Sequence, residues 1–412
     1  MIFLFLLLLP TQLGYHFWPE EAFIWGVKVD FLSPTLFATD IGLFLLFLID
    51  LVIHFSFWKK FFQCQKIKLF FLLLFFLLNL WAADRSLITA YRWLKFLEGA
   101  FLVIYTARYF RKSWLIPLAL AGFYTSLITW WQFFKQSSLG GLFWWLGERN
   151  FDLTSLGVAK AQLGHYFLLR PMASFSHPNS LAGWLIVLSL ILYWGREKWS
   201  GWKVILIDVL LVFLFLTICL TFSAAAYLFI LFLAVFLSRR LEKRFFIIAV
   251  ILAIALILYS IEVGVVEKNS WQERVFLIQN AFQLVKIKPW LGVGGGNFIS
   301  AQTGLDFLRG QYNFLQPVHN IYLLFLTEVG LVGFFLFLGL SFKFFKFFWL
   351  SLKKKTTALD LAFLAALFLG LFDHYWLTPQ QNFLLLAIVI GLLLFRPIPI
   401  QKGGLGQENY DK

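Results

Sequence analysis

Charged residues are scarce in this chain of 412 residues. They make up 14% of it, whereas hydrophobic residues make up 61% and the mean hydropathy is +0.81. A soluble domain of this length needs a more polar surface, so the composition excludes one and predicts a multi-span membrane protein. Cysteine is rarer still. We expect its two cysteines, Cys64 and Cys219, to lie on opposite sides of the membrane and to form no disulfide.

Sequence motifs for nucleotides and zinc are missing as well. No Walker loop, dinucleotide-binding fingerprint or zinc-ligand spacing occurs in the sequence. The loops predicted to face the cytoplasm are short and leave no room for a soluble ATP-binding domain. We therefore expect no cofactor. We also expect that any chemistry takes place on the outer face, from a substrate that already carries its own energy.

Apolar runs of the length that crosses a bilayer, about 20 residues each, dominate what is present. We predict an all-α integral membrane protein with about twelve transmembrane helices, a single polytopic domain over residues 1–412. An extracytoplasmic loop at 264–318 separates the ninth and tenth spans, and 397–412 form a cytoplasmic tail. The alternative interpretation of the first run is a signal peptide, but the run lacks a basic n-region and an A-x-A-like cleavage site. The predicted spans are 1–18, 36–56, 68–83, 93–107, 114–134, 179–195, 203–220, 222–238, 245–263, 319–342, 357–375 and 380–396.

Lysine and arginine are concentrated in one set of loops, which the positive-inside rule places in the cytoplasm. Both termini of this plasma-membrane protein are then cytoplasmic, and the two long segments 135–178 and 264–318 face outside. The formal net charge of +14 follows from this bias and from anionic lipid headgroups. Because no basic patch alternates with aromatic residues on a soluble domain, we expect no nucleic-acid partner.

The outer segment 264–318 contains a predicted amphipathic helix. Ser270 and Glu273 form a capping-box pattern that predicts its start. An apolar stripe follows at spacings of four and three: Trp271, Val275, Ile278, Phe282 and Val285. Arg274 falls on the apolar flank near the helix N-terminus, where the helix dipole disfavours a cation. We interpret Arg274 as an anion clamp that faces a cavity, with snorkelling or an ion pair to Glu267 as the alternative.

Two further polar clusters adjoin predicted spans. Arg170 is a candidate for substrate binding or for a lipid headgroup contact. Asn179 is a candidate substrate ligand, although Ser176 or Asn179 can also cap the span that begins there, with Pro178 in its first turn. The glycine run after Trp290 favours a tight loop with positive φ angles. The amide of Gly294 in such a run can also help to bind an anion.

The segment from Gln316 to Leu323 puts His319 and Asn320 at the mouth of a span, directly after the long outer loop. Ionisable groups at such a place are usually functional, and histidine is well suited to move a proton near neutral pH. We therefore predict that His319 is catalytic, whereas Asn320 caps the span or binds substrate. Glu328 lies more than two turns into the span, where it orients a polar group or serves as a structural hydrogen-bonding group.

The order of these motifs resembles the O-antigen ligase and polymerase superfamily. The residues that carry the resemblance are Arg170 with Phe175-Ser176-His177-Pro178-Asn179, Arg274 with Pro289-Trp290-Leu291-Gly292-Val293-Gly294, and His319-Asn320-x-Tyr322-Leu323 with Glu328-x-Gly330-x-x-Gly333. The resemblance implies a membrane glycosyltransferase of the GT-C type that uses an undecaprenyl-diphosphate-linked glycan as donor and needs no metal. It also implies that Arg274 stabilises the leaving diphosphate and that His319 orients or deprotonates the acceptor hydroxyl.

One position departs from the family pattern. Family members commonly carry Ser-Arg-x-Ala near the start of the eighth span, and the arginine position here is Ala224. If that arginine helps to bind diphosphate, another cation such as Arg170 must take its place in this chain.

The function predicted from the sequence is O-antigen ligase-like transfer of a lipid-linked glycan to a lipid, glycan or protein acceptor. A polysaccharide polymerase of the same superfamily shares this chemistry and differs in the acceptor. A non-enzymatic transporter of lipid-linked sugar is the third possibility, because acidic residues occur in predicted spans: Asp40, Asp50, Glu98, Asp208, Glu328 and Asp360. An enzyme gathers its key cations at the outer face, whereas a transporter lines a path through the middle.

Overall fold

The computed structural model describes residues 1–236 except 156 and 164, isolated residues between 247 and 258, and residues 268–305, 315–354 and 356–395. Helices dominate it. They are α1 Ile2–Leu7, α2 Ala38–Ile53, α3 Phe55–Ala82, α4 Ser86–Tyr109, α5 Leu115–Lys135, α6 Pro178–Arg196, α7 Trp202–Leu220, α8 Ala224–Phe236, α9 Lys268–Ile287, α10 Phe298–Thr303, α11 Ile321–Lys354, α12 Ala358–Leu369 and α13 Gln380–Phe395. The strands are β1 Gly14–His16, β2 Phe23–Ile24, β3 Val27–Lys28, β4 Thr35–Phe37, β5 Lys160–Leu163 and β6 Tyr166–Leu169.

Five of these helices, α3, α5, α6, α7 and α11, are long and apolar enough to cross a membrane, and α8, α12 and α13 are shorter apolar helices. The helical membrane architecture predicted from the sequence is therefore confirmed in its coarse form. The predicted span 1–18 is different in the structure, since α1 covers only Ile2–Leu7 and β1 follows it. The predicted span 245–263 lies almost entirely outside the described residues, so the count of twelve is not tested.

The main core lies where α4, α6, α12 and α13 pack against one another. Small residues allow two of these helices to approach closely. A Cβ at Gly99 of α4 would lie 2.6 Å from the ring of Phe383, and one at Gly391 of α13 would lie 2.6 Å from Thr106. Side chains of leucine, isoleucine and tryptophan fill the remaining space, with Trp184 and Trp376 fully buried.

Three two-stranded antiparallel ribbons correct the all-α prediction: β1 with β4, β2 with β3, and β5 with β6. The β2–β3 hairpin turns through Trp25 and Gly26, which both have positive φ angles, at 51° and 80°. Two positive φ angles in a two-residue loop are the signature of the turn that matches strand twist. These strands are only two to four residues long, so no run of alternating residues was available to predict them.

The glycine loop between α9 and α10 supplies backbone hydrogen-bond partners at a break in α11. Gly330 has φ 64° and ψ −174°, which interrupts the helix. The amides of Val293 and Gly294 donate to the carbonyls of Thr327 and Glu328, at 3.0 Å each. After the break, the amides of residues 331 and 332 donate to the carbonyls of residues 289 and 290, at 2.8 and 3.0 Å. The glycine run therefore forms a tight loop with positive φ angles at Gly292, Gly294 and Gly296.

Helix α9 differs from its prediction in its start and in its buried face. It begins at Lys268, so Ser270 lies inside the helix instead of capping it. The face that packs into a core carries Leu277, Ala281 and Leu284. Two residues of the predicted stripe lie away from that core, with Trp271 65% and Phe282 51% exposed, whereas Ile278 packs against it. The helix thus has two apolar faces, which a single stripe could not reveal.

Candidate functional site

Three loops and one helix bring a cluster of ionisable side chains together. His177 precedes α6, His319 precedes α11, and Asp373 and His374 lie between α12 and α13, while Arg274 projects from the first turns of α9. Ligand atoms of His319, Asp373 and His374 all lie within 4.8 Å of one another. The rings of His319 and His374 pack edge to face, with centroids 5.3 Å apart. We refer to these five residues as the histidine cluster.

Asp373 is the buried anion of the histidine cluster, with 6% of its surface exposed. Its Oδ1 accepts from the amide of His374 at 2.8 Å, and Asn179 Nδ2 donates to its Oδ2 at 3.4 Å. Burial raises the pKa of Asp373, but the neighbouring imidazoles, which become charged at low pH, and Arg274 outweigh burial and hold the pKa well below its usual value. The carboxylate is therefore ionised at neutral pH.

The histidines around this carboxylate are neutral. Burial is the main cause that lowers the pKa of His177 and of His319 to about 3; Asp373 raises both pKa values, and nearby positive charges lower them. Burial also lowers the pKa of His374, whose Nδ1 lies 2.6 Å from the hydroxyl of Thr378. The buried Nδ1 of His319 has no hydrogen-bond partner in the described part of the chain. His319 thus has one ring nitrogen whose hydrogen-bonding capacity the described residues leave unused.

Arg274 is the cation of the histidine cluster. It is half-buried and starts the buried face of α9, in line with Leu277. Its Nη1 donates to the carbonyl of Phe372 at 2.8 Å. Among the described residues, no carboxylate oxygen lies within 4.0 Å of its guanidinium. The alternative ion pair to Glu267 lies outside the described residues.

Arg170 and Asn179 connect to the histidine cluster through hydrogen bonds. Arg170 is 6% exposed, and its Nε donates to the carbonyl of Thr221 at 3.0 Å. Its Nη2 donates to Asn179 Oδ1 at 2.8 Å, and Asn179 in turn reaches Asp373. Arg170 therefore contacts the turn that precedes Ala224, the position where the family pattern has arginine. His177, and not Ser176 or Asn179, caps α6, because its Nδ1 accepts from the Asn179 amide at 3.1 Å.

Asn320 lies next to His319 in the chain, and its side chain forms hydrogen bonds to backbone groups. Its Oδ1 accepts from the amides of Tyr322 and Leu323 at 3.0 and 2.9 Å, which caps α11. Its Nδ2 donates to the carbonyl of Leu371 at 3.1 Å, close to Asp373 in the chain. The side chain therefore joins the two loops that carry His319 and Asp373.

Glu328 and Gly294 lie at the break in α11. Glu328 is 7% exposed, and its carboxylate accepts from the backbone of Gly296 and Phe298. The amide of Gly294 is used by the Glu328 carbonyl. In the part of the chain that the structure describes, neither residue contacts His319, Asp373 or His374. Their roles in substrate binding remain predictions.

The sequence analysis did not select Asp373 or His374 as site residues. Both fall in the predicted span 357–375, but α12 ends at Leu369 and the chain then turns. An Asp-His pair between two short apolar runs was the available signal, because ionisable groups inside a span are rare. The spacing of His319, Asp373 and His374 would also admit a divalent cation. Arg274 lies beside them and opposes a second positive charge there.

No curated protein matches this chain. Residues 209–338 match the family model described as O-Antigen ligase. The matched segment contains Arg274, His319 and Glu328, and the family resemblance read from the sequence also covers Arg170 and Asn179. The match confirms the resemblance to the O-antigen ligase superfamily over residues 209–338.

Proposed function

We propose that this protein transfers a glycan from an undecaprenyl-diphosphate-linked donor to an acceptor hydroxyl at the outer face of the plasma membrane. The observation that carries the proposal is the position of His319. Its ring lies next to the ionised Asp373, in the same cluster as Arg274, and its buried Nδ1 has no hydrogen-bond partner among the described residues. A neutral base and a cation that has no carboxylate partner among the described residues are the two groups that this transfer requires.

The proposed step is a direct displacement at the anomeric carbon. The acceptor oxygen forms a bond to that carbon as its proton passes to His319, and the bond to the diphosphate breaks with its electron pair on the leaving group. Arg274 stabilises the charge that develops on the diphosphate. Bound diphosphate also brings negative charge near His319 and raises its basicity. Attack opposite the leaving group inverts the anomeric centre.

The acidic residues of the predicted spans favour an enzyme over a transporter. Asp208 forms two hydrogen bonds with Arg196, at 2.5 and 2.7 Å. Asp360 caps α12 through Thr357, at 2.7 Å from its amide. Asp40 contacts Lys95. These carboxylates are bound to fixed partners within the protein. A transport path needs acidic side chains that can bind the transported group in turn. The ligase and the polymerase remain distinguished only by their acceptor.

The test is a transfer assay with the purified protein in lipid nanodiscs. It supplies undecaprenyl-diphosphate-linked oligosaccharide with glycolipid, glycan or peptide acceptors, and the product is identified by mass spectrometry. His319→Ala should lower the rate by about 10²–10⁴-fold, the usual contribution of a general base. His165→Ala removes an exposed histidine and is the matched control. EDTA should leave the rate unchanged, because the proposed step uses no metal.

Near-normal transfer by a folded His319→Ala protein would exclude His319 as the base. Loss of transfer together with loss of folded protein would assign it a structural role only. A wild-type protein that moves the lipid-linked donor across vesicles without forming a new glycosidic bond would support the transporter.

A further inference from the structure

A cavity of about 640 Å³ adjoins the histidine cluster. It lies between the ribbons of the N-terminal segment, α4 and the chain that follows His374. Two of its lining residues touch His374. The ring of Phe31 packs edge to face on the His374 ring, with centroids 5.4 Å apart, and Thr378 Oγ1 lies 2.6 Å from His374 Nδ1. A third lining residue, Ser176, precedes His177 in the chain. The cavity therefore opens beside the cluster and is large enough for a small-molecule ligand.

Three cationic side chains line this cavity, and two of them are paired. Lys95 contacts Asp40 and lies 3.3 Å from Glu98. Arg149 lies 3.4 Å from Asp30.

Arg92 is the cation without such a partner. No carboxylate oxygen of the described residues lies within 4.0 Å of its guanidinium. Its Nη1 donates to the carbonyl of Leu377 at 3.1 Å. Its charge also acts on Glu328, but that carboxylate is held by the backbone of Gly296 and Phe298. Arg92 thus keeps donors for an anion in the cavity.

Arg92 and Arg274 hold the two ends of one short segment. Arg274 donates to the carbonyl of Phe372, and Arg92 donates to that of Leu377, with Asp373 and His374 between them. If the donor's diphosphate occupies the Arg274 end, the attacking hydroxyl must approach from the opposite side of the anomeric carbon. The cavity with Arg92 lies toward that other end of the segment.

The rest of the cavity suits a sugar ring. Phe31, Tyr91 and Trp144 contribute aromatic rings to its lining, and Gln12 and Gln380 contribute amides whose nitrogens donate to neighbouring side chains. Carbohydrate binding combines such apolar faces with a few placed polar groups. We propose that this cavity binds a sugar of the acceptor that carries a phosphate or a carboxylate, and that Arg92 binds the anionic group. The assignment to the acceptor rests on the proposed function, whereas the binding of an anionic sugar does not.

The first experiment measures binding to the purified full-length protein in detergent by isothermal titration calorimetry. The probes are glucose 6-phosphate, glucuronic acid, glucose and inorganic phosphate. We expect at least one anionic sugar to bind about tenfold more tightly than glucose and than inorganic phosphate, and Arg92→Gln to remove that advantage. Arg92→Lys should retain part of it, because it keeps the charge without the planar fork. Glucose 6-phosphate against glucuronic acid separates a phosphate from a carboxylate.

Arg108→Gln is the control, since Arg108 lies on the same helix α4 and stacks on Phe57 with its guanidinium carbon 3.6 Å from the ring centroid. It should bind the anionic sugar like the wild type. Equal binding by wild type and a folded Arg92→Gln protein would overturn the proposal. So would a wild type that binds neither anionic sugar, or one that binds inorganic phosphate as tightly as it binds the sugars.

A second arm separates this proposal from the proposed function. His319→Ala should lose transfer and still bind the anionic sugar, because His319 does not line the cavity. In the transfer assay, Arg92→Gln should raise the KM for the acceptor about tenfold and leave the KM for the donor unchanged. An effect of Arg92→Gln on the donor KM alone would overturn the assignment to the acceptor.

Discussion

At the scale of single residues, Arg274 is a cation that meets a backbone carbonyl where an anionic partner would be expected. Its guanidinium donates to Phe372 and lies near the buried Asp373. A half-buried arginine is unfavourable unless an anion compensates it. Asp373 supplies part of that compensation, and the proposed diphosphate supplies the rest.

Arg274→Ala should therefore lower kcat of glycan transfer by about 10²–10³-fold, the usual effect of removing one group that stabilises developing charge. Arg274→Lys should recover only part of the rate, because an ammonium cannot bind phosphate in a planar, bidentate way. Lys286→Ala, on an exposed face of the same helix, is the control and should behave as wild type. A folded Arg274→Ala protein with wild-type transfer would show that Arg274 is no anion clamp.

At the scale of elements, the break in α11 depends on a residue without a side chain. A Cβ at Gly330 would lie 2.4 Å from the carbonyl oxygen of Trp290, at a φ of 64° that other residues adopt at a cost. Gly330→Ala should destabilise the protein by roughly 1–3 kcal/mol and lower its apparent unfolding temperature. Gly339→Ala in the same helix meets nothing within 4 Å and should leave stability unchanged or raise it. Equal unfolding temperatures for the two variants would contradict this account of the break.

The N-terminus of α6 links stability to pH through its capping residue. Unfolded chains protonate His177 below about pH 6.5, whereas burial lowers its pKa in the folded protein to about 3. The unfolded state therefore binds more protons in this window. The contribution of His177 is fully present above pH 6.5 and is lost as the pH falls, by about 2 kcal/mol at pH 5.

His177→Asn keeps a side-chain oxygen that can cap α6 and removes this titration. Apparent unfolding temperatures should therefore fall more steeply for the wild type than for the variant between pH 7.5 and pH 5, so the difference changes in favour of the variant. The other buried histidines affect both proteins alike, so their contribution cancels. Parallel curves would show that His177 is not held neutral in the folded protein.

At the scale of the whole molecule, the distribution of lysine and arginine sets the expected orientation. The prediction concerns one added cysteine at a time in a protein that keeps Cys64 and whose Cys219 is replaced by serine. A membrane-impermeant maleimide applied to intact cells should label Thr154→Cys in the outer segment and should not label Lys353→Cys. The native Cys64 is exposed on a helix predicted to face the cytoplasm at that end, so it should also stay unlabelled. Labelling of position 353 from outside would reverse the orientation, and with it the side of the active site.

The sequence alone determined the class of this protein and two members of its cluster. Its scarcity of charge required a bilayer as solvent, and the long apolar runs required helices, because a lipid-exposed backbone must satisfy its own hydrogen bonds. Arg274 and His319 were recognisable since each violates a local rule, one of helix electrostatics and one of membrane composition. The order of the motifs supplied the family.

Only the tertiary structure decided what surrounds these two residues. Asp373 and His374 belong to a loop distant in sequence, and their approach to His319 follows from the packing of α11 against α12. The break at Gly330 is stable because a loop from before α10 supplies the missing backbone partners. Arg92 lies within helix α4, and only the packing of the neighbouring elements shows that it has no ion pair among the described residues. Contacts between distant segments depend on packing geometry, which no local pattern of residues records.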